Sequence, residues 1–328
     1  MSKFCDDDDF PISMVVVDEA HYIKNETRKR TKNVLKQLKR TKYRLLMTGT
    51  PLENNVEEMC SLISYLQPYV VNNLKNSTNY MTVERFKREI SVVYLRRTRK
   101  EVLAELPELI EYEEWGSLNS NEKIAYRRDV MNGDYMAMRR ISFNIDDLKE
   151  STKANRIVEI CDAAKEDDRK IIIFSFFRRT LEKLNYFLGD IVIGSIVGGI
   201  STVKKQEVLD QFEKAQGGAV LLAQIEAGGI GLNIQCASVI ILCEPQFKPS
   251  SEKQAISRAY RMGQAKSVEV HRMLIEDSID ERLLDIIRRK QEIFDAYADI
   301  SLVAQSELNI SEKEIAGIVE EEKKRLCG

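Results

Sequence analysis

Two adjacent carboxylates, Asp18 and Glu19, directly follow the apolar run Met14 to Val17. A run of this length predicts a buried strand, and α/β folds place ligands at the carboxyl ends of such strands. Asp18 could there hold magnesium through a water, and Glu19 could polarise a water that attacks a phosphoryl group. The alternative is a strand that ends in solvent-facing acids.

A second strand-like run, residues 43–47, ends in the sequence Thr48-Gly49-Thr50-Pro51. Hydroxyls and a glycine at a strand end could sense the state of a bound nucleotide. The same residue types are also typical of an ordinary turn. This segment alone favours the turn.

Three glycines, Gly228, Gly229 and Gly231, follow the strand-like run of residues 219–223. Because glycine has no Cβ, these positions would let backbone amides approach a phosphate closely. A plain strand-to-helix turn would use glycine in the same way. Glycines at this spacing are weak evidence for a phosphate site, and this segment alone favours the turn.

Gln254, Arg258 and Arg261 are spaced by four and three residues, so a helix would present all three on one face. Two arginines on one face often form surface ion pairs. Their planar guanidinium groups could instead neutralise charge on a phosphoryl group during its transfer. The spacing again does not decide between a structural and a catalytic use.

Apolar runs of strand length alternate with longer segments of helical periodicity along the chain. Because these runs are continuously apolar, they predict strands buried on both faces, as in parallel sheets flanked by helices. The pattern is typical of α/β architecture. The predicted strands cover residues 14–17, 43–47, 92–95, 171–174, 191–197, 219–223, 238–242 and 268–274.

A chain of 328 residues is long enough for two domains or three small ones. The 50 Lys and Arg residues and 52 Asp and Glu residues leave a net charge of -2, so the overall balance does not indicate nucleic acid. The stretch from Lys24 to Arg44 differs, because it holds ten Lys or Arg residues and one acid, Glu26. It is either a local polyanion site or a solvated helix face.

Six scattered cysteines without a C-x-x-C pair, and only two histidines, argue against a zinc site and a disulfide framework. The sequence has no signal-like start and no apolar run of membrane-spanning length. We therefore expect a reduced, soluble, intracellular protein.

The order of the motifs carries more information than any one of them. Asp-Glu-Ala-His, Thr-Gly-Thr-Pro, a strand with "IIIFSFF", Gly-Gly-x-Gly-x-Asn and Gln-x-x-x-Arg-x-x-Arg-x-Gly-Gln follow one another. This series resembles helicase superfamily two and, more narrowly, the Swi/Snf-type DNA-translocating ATPases. The segments "YLRRTRKEVLAELP" and "ERLLDIIRRKQEIFDAYAD" are similar to that family's arginine-rich segment and brace helix, so the resemblance covers residues 14–300.

The resemblance implies an α/β fold of RecA-like parallel sheets, with ATP between two lobes. The first lobe would be incomplete, and a complete second, helicase C-terminal lobe would follow it. The expected boundaries are residues 1–110 for the remainder of the first lobe, 111–153 for the inter-lobe segment, 154–300 for the second lobe with its brace helix, and 301–328 for a helical or partly disordered tail.

The resemblance also implies roles for individual residues, with ATP and Mg²⁺ as cofactors. Asp18 would organise magnesium and Glu19 would activate water. Residues expected to couple nucleotide state to lobe closure are His21, Thr48, Gly49 and Thr50. Residues expected to face ATP across the cleft or lie near it are Gln254, Arg258, Arg261, Gly229 and Gly231.

The resemblance further implies that the strand end at Ser175 and the loop around Gly228 would contact the backbone of double-stranded DNA. Three positions depart from the family pattern. Gln224 replaces a Ser or Thr, Glu226 replaces a basic residue, and Tyr260 replaces a histidine. A carboxylate that faces phosphate would weaken the DNA contacts of this loop.

The family's phosphate-binding loop, the P-loop, needs Gly-Lys followed by Ser or Thr, and none of the 15 glycines here precedes a lysine. We therefore expect a natural fragment, the second half of a split gene or a truncated gene model. Its first lobe would keep about three strands and expose backbone donors and apolar faces.

Two functions follow from these expectations. The chain could be the carboxy-terminal part of an ATP-dependent DNA translocase, inactive until a P-loop-bearing first-lobe segment or polypeptide joins it. Alternatively, it could be a catalytically inactive fragment that acts as a DNA- or protein-binding module. Its place would be the bacterial nucleoid or the eukaryotic nucleus, and nothing in the sequence indicates which DNA-bound target it moves.

Overall fold

The computed structural model describes residues 12–23, 27–48, 56–75, 88–95, 106–225, 234–246, 249–297 and 312–327. The chain divides into two compact units. Unit 1 comprises residues 1–98 and 289–309, and unit 2 comprises residues 99–288 and 310–328. The domain boundaries expected from the sequence stay a prediction.

Unit 1 contains a pair of parallel strands, β1 (Met14–Val17) and β2 (Tyr43–Leu46), in register from Met14 opposite Tyr43 to Val17 opposite Leu46. Parallel strands need a crossover connection. Here it consists of a 3₁₀ helix (Ala20–Ile23) and the helix α1 (Lys29–Arg40). Helices α2 (Val56–Leu66) and α3 (Pro68–Lys75) follow.

Only one face of the β1–β2 pair is buried, whereas the sequence predicts burial on both faces. Val15 and Val17 pack with the buried Ala20, Ile23 and Leu38. The other face, which we call the open sheet face, is solvent-exposed, with Val16 at 52% and Tyr43 at 56% exposure. It consists of Met14, Val16, Tyr43, Leu45 and Met47.

The strand predicted at residues 92–95 is wrong. Residues 91–93 form a turn after the helical residues 88–90, and Val93 N donates to Ile90 O (2.9 Å). Ile90 is buried in the cluster of α2 and α3, while Val92 and Leu95 are exposed. A short apolar run fits a helix end as well as a strand, so its periodicity cannot separate the two.

Unit 2 contains a parallel sheet of six strands in the order β3-β8-β7-β4-β6-β5. The strands are β3 (Leu109–Gly116), β4 (Lys170–Ser175), β5 (Val192–Ile196), β6 (Val220–Gln224), β7 (Ala237–Leu242) and β8 (Val268–Ile275). Five of them confirm predicted strands. The sixth, β3, covers the strand-like "LIEYEEW" and pairs with β8 at the sheet edge, where its exposed Glu111 and Glu113 suit an edge strand.

Helices cover both faces of this sheet. The helices that begin in unit 2 are α4 (Ser120–Met131), α5 (Tyr135–Met138), α6 (Thr152–Glu166), α7 (Arg178–Leu188), α8 (Thr202–Lys214), α9 (Pro249–Ala259), α10 (Ile279–Tyr297) and α11 (Glu312–Cys327). In β4, Ile171 and Ile173 enter one core, while Ile172 and Phe174 enter the other. Burial on both faces is why this strand is continuously apolar in sequence.

Candidate functional site

The two adjacent carboxylates lie on a turn at the carboxyl end of β1. Asp18 Oδ1 accepts a hydrogen bond from Glu19 N (2.8 Å), and Glu19 has a φ of 50°. A residue with a side chain rarely adopts this left-handed conformation, and such strain concentrates at functional sites. Asp18 is exposed and Glu19 is half-buried, so both can reach a ligand at this strand end.

Two backbone hydrogen bonds join this turn to the end of β2. Met47 N donates to Val17 O (2.8 Å), and Ala20 N donates to Met47 O (2.9 Å). The half-buried Thr48 therefore lies at the same sheet edge as Asp18 and Glu19. Gly49, Thr50 and the side chain of His21 lie outside the described residues.

Asp18 suits a cation that is held mainly by water and phosphate oxygens. One oxygen of its carboxylate is bonded to the turn, and the carboxylate is exposed to solvent. Within the described residues, no group of three or more His, Cys, Asp or Glu side chains could hold a metal. A single exposed carboxylate such as that of Asp18 suits magnesium, which commonly uses one or two carboxylates together with nucleotide phosphates.

In unit 2, Ser175 and Gln224 end the neighbouring strands β4 and β6. Gln224 Nε2 donates to Phe176 O (3.1 Å), and Gln224 Oε1 accepts from Gly198 N (3.0 Å). Its longer side chain thus links three strand ends, which a Ser or Thr could not span. Glu226 and the glycines Gly228, Gly229 and Gly231 lie outside the part of the chain that the structure describes.

Ser175 is fully buried, and its hydroxyl is committed to protein groups. Ser175 Oγ donates to Glu244 Oε2 (3.0 Å) and accepts from Phe177 N (3.0 Å). Glu244 also accepts from Phe176 N and from Gln246 Nε2 (3.2 Å to Oε1). A contact between DNA and this strand end stays a prediction, and it would fall to the residues that follow Ser175.

Glu244 belongs to a buried charge network that the motif analysis missed. Burial raises the pKa of Glu244, while Arg139 and the Phe176 amide act in the opposite direction. Arg139 also donates to Pro245 O (3.0 Å), and Lys153 forms an ion pair with Asp280 (2.5 Å).

A sequence signal for Glu244 existed. Glu244 follows the apolar strand β7 almost as directly as Asp18 follows β1. An acidic residue after an apolar strand-like run, the pattern that makes Asp18 a candidate, is therefore present at Glu244 as well. The two carboxylates differ in burial, which the sequence does not report, and Glu244 consequently organises neighbouring strand ends.

The arginine motif lies on the last turn of α9 and just beyond it. Arg258 O accepts from Ile234 N (3.1 Å), and Gln264 Nε2 donates to Gln235 O (2.9 Å) and Ala237 O (2.8 Å). Since Ala237 begins β7, the end of α9 is fixed at the amino edge of the sheet. Ser175 and Gln224 lie at the opposite, carboxyl edge, so unit 2 does not bring the two sets together.

The predicted nucleotide contacts on α9 differ in exposure. Gln254 and Arg258 are half-buried, and Arg261 is exposed. Burial and the Arg258 guanidinium both lower the pKa of Lys205 on α8, so two cations lie close together there. Cations placed side by side suit an anionic ligand. Tyr260, in the family's histidine position, packs against the core.

Comparison with known families gives two matches. The SNF2-related domain matches residues 3–171, and the helicase conserved C-terminal domain matches residues 152–263. Among the described residues, no helix has the length and apolarity needed to cross a membrane.

The chain is similar to an uncharacterised ATP-dependent helicase, MG018, of Mycoplasma genitalium. The identity is 30% over 310 residues, which cover 85% of this chain and 30% of that protein. The chain therefore spans about a third of the length of such curated relatives.

Two solved structures have a similar fold. One is the C-terminal part of the Fun30 ATPase domain, with a TM-score of 0.54 and 17% identity over 67% of this chain and 100% of that chain. The other is the Sulfolobus solfataricus SWI2/SNF2 ATPase core in complex with dsDNA, with a TM-score of 0.50 and 23% identity over 94% of this chain and 74% of that chain. Both support the predicted α/β class with RecA-like parallel sheets.

Proposed function

Because the chain belongs to the SNF2-related family, we propose that it is the carboxy-terminal part of a Swi/Snf-type motor that couples ATP hydrolysis to movement on duplex DNA. The observation that carries this proposal is the Asp18–Glu19 turn. Two carboxylates at a strand end, with Glu19 at a φ of 50° and the turn tied to β2, suit water activation in phosphoryl transfer.

Unit 1 would supply the groups that prepare the water. Asp18 would hold Mg²⁺ through a water, and the bound ion would neutralise charge on the phosphates. Glu19 would orient the attacking water and accept its proton. His21, Thr48, Gly49 and Thr50 would transmit the state of the nucleotide to the rest of the unit.

Unit 2 would supply positive charge to the transferring phosphoryl group. Arg258 and Arg261 would neutralise the charge that develops on its oxygens, and Lys205 would add to the local positive potential. Gln254 would contact the nucleotide, with Gly229 and Gly231 nearby.

The carboxyl edge of the unit 2 sheet would contact the DNA backbone. Helix α7 begins there with Arg178 and Arg179, and the amides at a helix N-terminus favour phosphate. The loop around Gly228 would add backbone contacts. The Glu244 network would keep the strand end before α7 in place.

The phosphate-binding lysine would come from a P-loop-bearing first-lobe segment or polypeptide, because these 328 residues contain no Gly-Lys pair. The open sheet face supports this requirement. Five large apolar side chains exposed on one face of a strand pair form a surface that another layer of structure normally covers.

A second function is a catalytically inactive module that binds DNA or protein. The lack of a Gly-Lys-Ser or Gly-Lys-Thr sequence favours it.

Reconstitution distinguishes the two functions. The 328-residue chain would be combined with a first-lobe polypeptide that carries Gly-Lys-Thr, and phosphate release would be measured with and without duplex DNA. We expect DNA-stimulated hydrolysis from the combination and none from the chain alone. Hydrolysis by the chain alone would contradict the need for a P-loop partner, and an inactive combination would favour the binding module.

A further inference from the structure

A small cavity of unit 2 lies among residues that the proposed reaction does not use. It lies between α6 and the strands β7 and β8 and has a volume of about 130 Å³. An apolar cavity of about 150 Å³ can hold benzene, so this one has room for about six non-hydrogen atoms. One part of its wall is apolar and the other is polar. The apolar part contains Ile160, Ala163, Ala164 and Val239, and the polar part contains Glu269 and His271.

His271 supplies a buried acceptor that has no hydrogen-bond partner. The residue is 8% exposed, and its Nδ1 lies 2.7 Å from Glu114 Oε1. Burial acts to raise the pKa of Glu114, but hydrogen bonds from His271 and Arg156 outweigh it, and the pKa is lowered. Since an ionised carboxylate only accepts hydrogen bonds, Nδ1 carries the ring proton. Nε2 of the neutral ring is then an acceptor, and it is buried without a hydrogen bond.

The Nε2 edge of the ring is directed at the cavity. Glu114, which binds Nδ1, does not line the cavity, whereas Glu269 does, and its Oε2 lies 3.7 Å from Nε2. This distance is too long for a hydrogen bond. Tyr112 stacks on the ring at 4.9 Å between centroids and so limits its rotation. Two acceptors in this arrangement favour a donor that bonds both of them, and a rotation of the Glu269 side chain would admit one.

The charges at the cavity favour a dication. They belong to four carboxylates and two guanidinium groups. These groups are Glu114, Glu159, Asp167, Glu269, Arg156 and Arg169. With His271 neutral, four negative and two positive charges leave a net charge of -2. Both arginines are held in ion pairs, Arg156 with Glu114 (2.9 Å) and Arg169 with Glu269 (2.8 Å).

The two parts of the wall together suit an alkyl chain that ends in ammonium groups. An ammonium group has donors and no acceptor, and methylene groups would contact the apolar part of the wall. A second ammonium group would meet Glu159 and Asp167, which are exposed at the α6 side. A metal ion fits less well, because no three His, Cys, Asp or Glu side chains of the described residues are placed to hold one.

We propose that this cavity binds a short aliphatic diamine, with one ammonium group between His271 Nε2 and the Glu269 carboxylate and the other at Glu159 and Asp167. The inference goes beyond the proposed function, because it uses neither the carboxylates of unit 1 nor the arginine motif of α9. A bound diamine would link α6 to β8 and stabilise unit 2.

The test uses the full chain without nucleotide and measures the binding of 1,4-diaminobutane, which has six non-hydrogen atoms, by isothermal titration calorimetry. Butane-1,4-diol has the same length without charge and is the control ligand. The chain has two histidines, so the ring-nitrogen NMR spectrum of histidine-labelled protein reports on His271. The variant His21→Gln assigns the signals by elimination.

We expect wild type to bind the diamine and not the diol, with a change in the Nε2 signal of His271. Glu269→Gln should weaken binding about tenfold or more, because it removes a charged acceptor and keeps the shape of the side chain. Glu182→Gln is the control, since Glu182 also pairs with an arginine (3.1 Å) but lies on α7. It should bind as wild type does.

A second variant tests the cavity without changing its polar groups. Ala163 lies on the exposed side of α6, so Ala163→Leu would fill the cavity and should weaken binding about tenfold or more. Ala316→Leu, at an exposed position of α11, should leave binding unchanged. Circular dichroism and thermal unfolding of all variants would establish that they remain folded.

A wild type that binds no diamine, or binds the diol equally well, would overturn the proposal, and so would unchanged binding by Ala163→Leu. Binding of Zn²⁺ instead of the diamine would overturn it in favour of a metal site. Binding of Nα-acetyl-lysine amide as tightly as the diamine would overturn it in favour of a site for a protein side chain. None of these results bears on ATP hydrolysis, which the reconstitution measures separately.

Discussion

Asp18 and Glu244 are two carboxylates that follow strand ends and differ in burial. The Asp18 carboxylate is exposed at the end of β1, while Glu244 is buried at the end of β7 and accepts hydrogen bonds from Ser175 Oγ and Phe176 N. An exposed carboxylate can hold a cation or water, whereas a buried one fixes the backbone around it. The difference lies in what covers each strand end.

The pH dependence of stability tests the role of Glu244. Burial raises the pKa of Glu244 above its ordinary value of 4.5. A raised pKa in the folded state gives a stabilising contribution that is fully present below pH 4.5 and is lost as pH rises through the folded-state pKa. Glu244→Gln removes this titration. The free energy of unfolding of the variant, relative to wild type, should therefore increase as pH rises from acid toward neutrality.

Urea denaturation of both proteins across this pH range measures that difference. Glu166→Gln, which changes an exposed glutamate at the end of α6, is the matched control. A Glu244→Gln variant that loses stability relative to wild type as pH rises would mean that the folded state favours the ionised carboxylate.

At the level of elements, the backbone conformation just after α9 requires a glycine at position 263. Gly263 has a φ of 94°, and a Cβ there would lie 3.2 Å from Gln235 Oε1. Gly263→Ala should therefore lower the free energy of unfolding by about 1 to 2 kcal/mol. Gly317→Ala should act in the opposite direction, because Gly317 lies inside α11 with open space around it, and alanine favours a helix by about 1 kcal/mol.

Chemical denaturation of the two alanine variants beside wild type measures both effects. Opposite signs would support a backbone requirement at Gly263. Destabilisation of equal size at both positions would contradict it and would indicate a general sensitivity of the chain to substitution.

The sequence predicts elements best where both faces of a strand are buried. The runs of β4, β6 and β7 are continuously apolar because each strand lies between two helical layers, and the structure confirms them. The strand predicted at residues 92–95 fails because a short apolar run also fits the turn after a helix, where Val92 and Leu95 are exposed. The spacing of residues within a motif predicts the candidate site residues. It does not predict the roles of Glu244 and Lys205, because their partners are distant in sequence.

At the level of the whole molecule, the two edges of the unit 2 sheet have separate tasks in the proposed motor. The end of α9 carries Arg258 and Arg261 at the amino edge, and the Ser175 strand end lies at the carboxyl edge. Nucleotide and DNA would thus meet opposite ends of one rigid sheet. A shift of the sheet as a body could then connect hydrolysis with movement on DNA.

The central claim is that Arg261 acts in phosphoryl transfer together with the carboxylates of unit 1. Its most direct test is DNA-stimulated turnover of the reconstituted chain, with ATP binding measured on the same samples. Arg261→Ala should reduce turnover on the order of a thousandfold and leave ATP binding largely intact, because the guanidinium acts on charge that develops during transfer. Arg127→Ala, which removes an exposed arginine of α4, should change neither quantity. Equal losses of turnover in both variants, or none in either, would contradict the account.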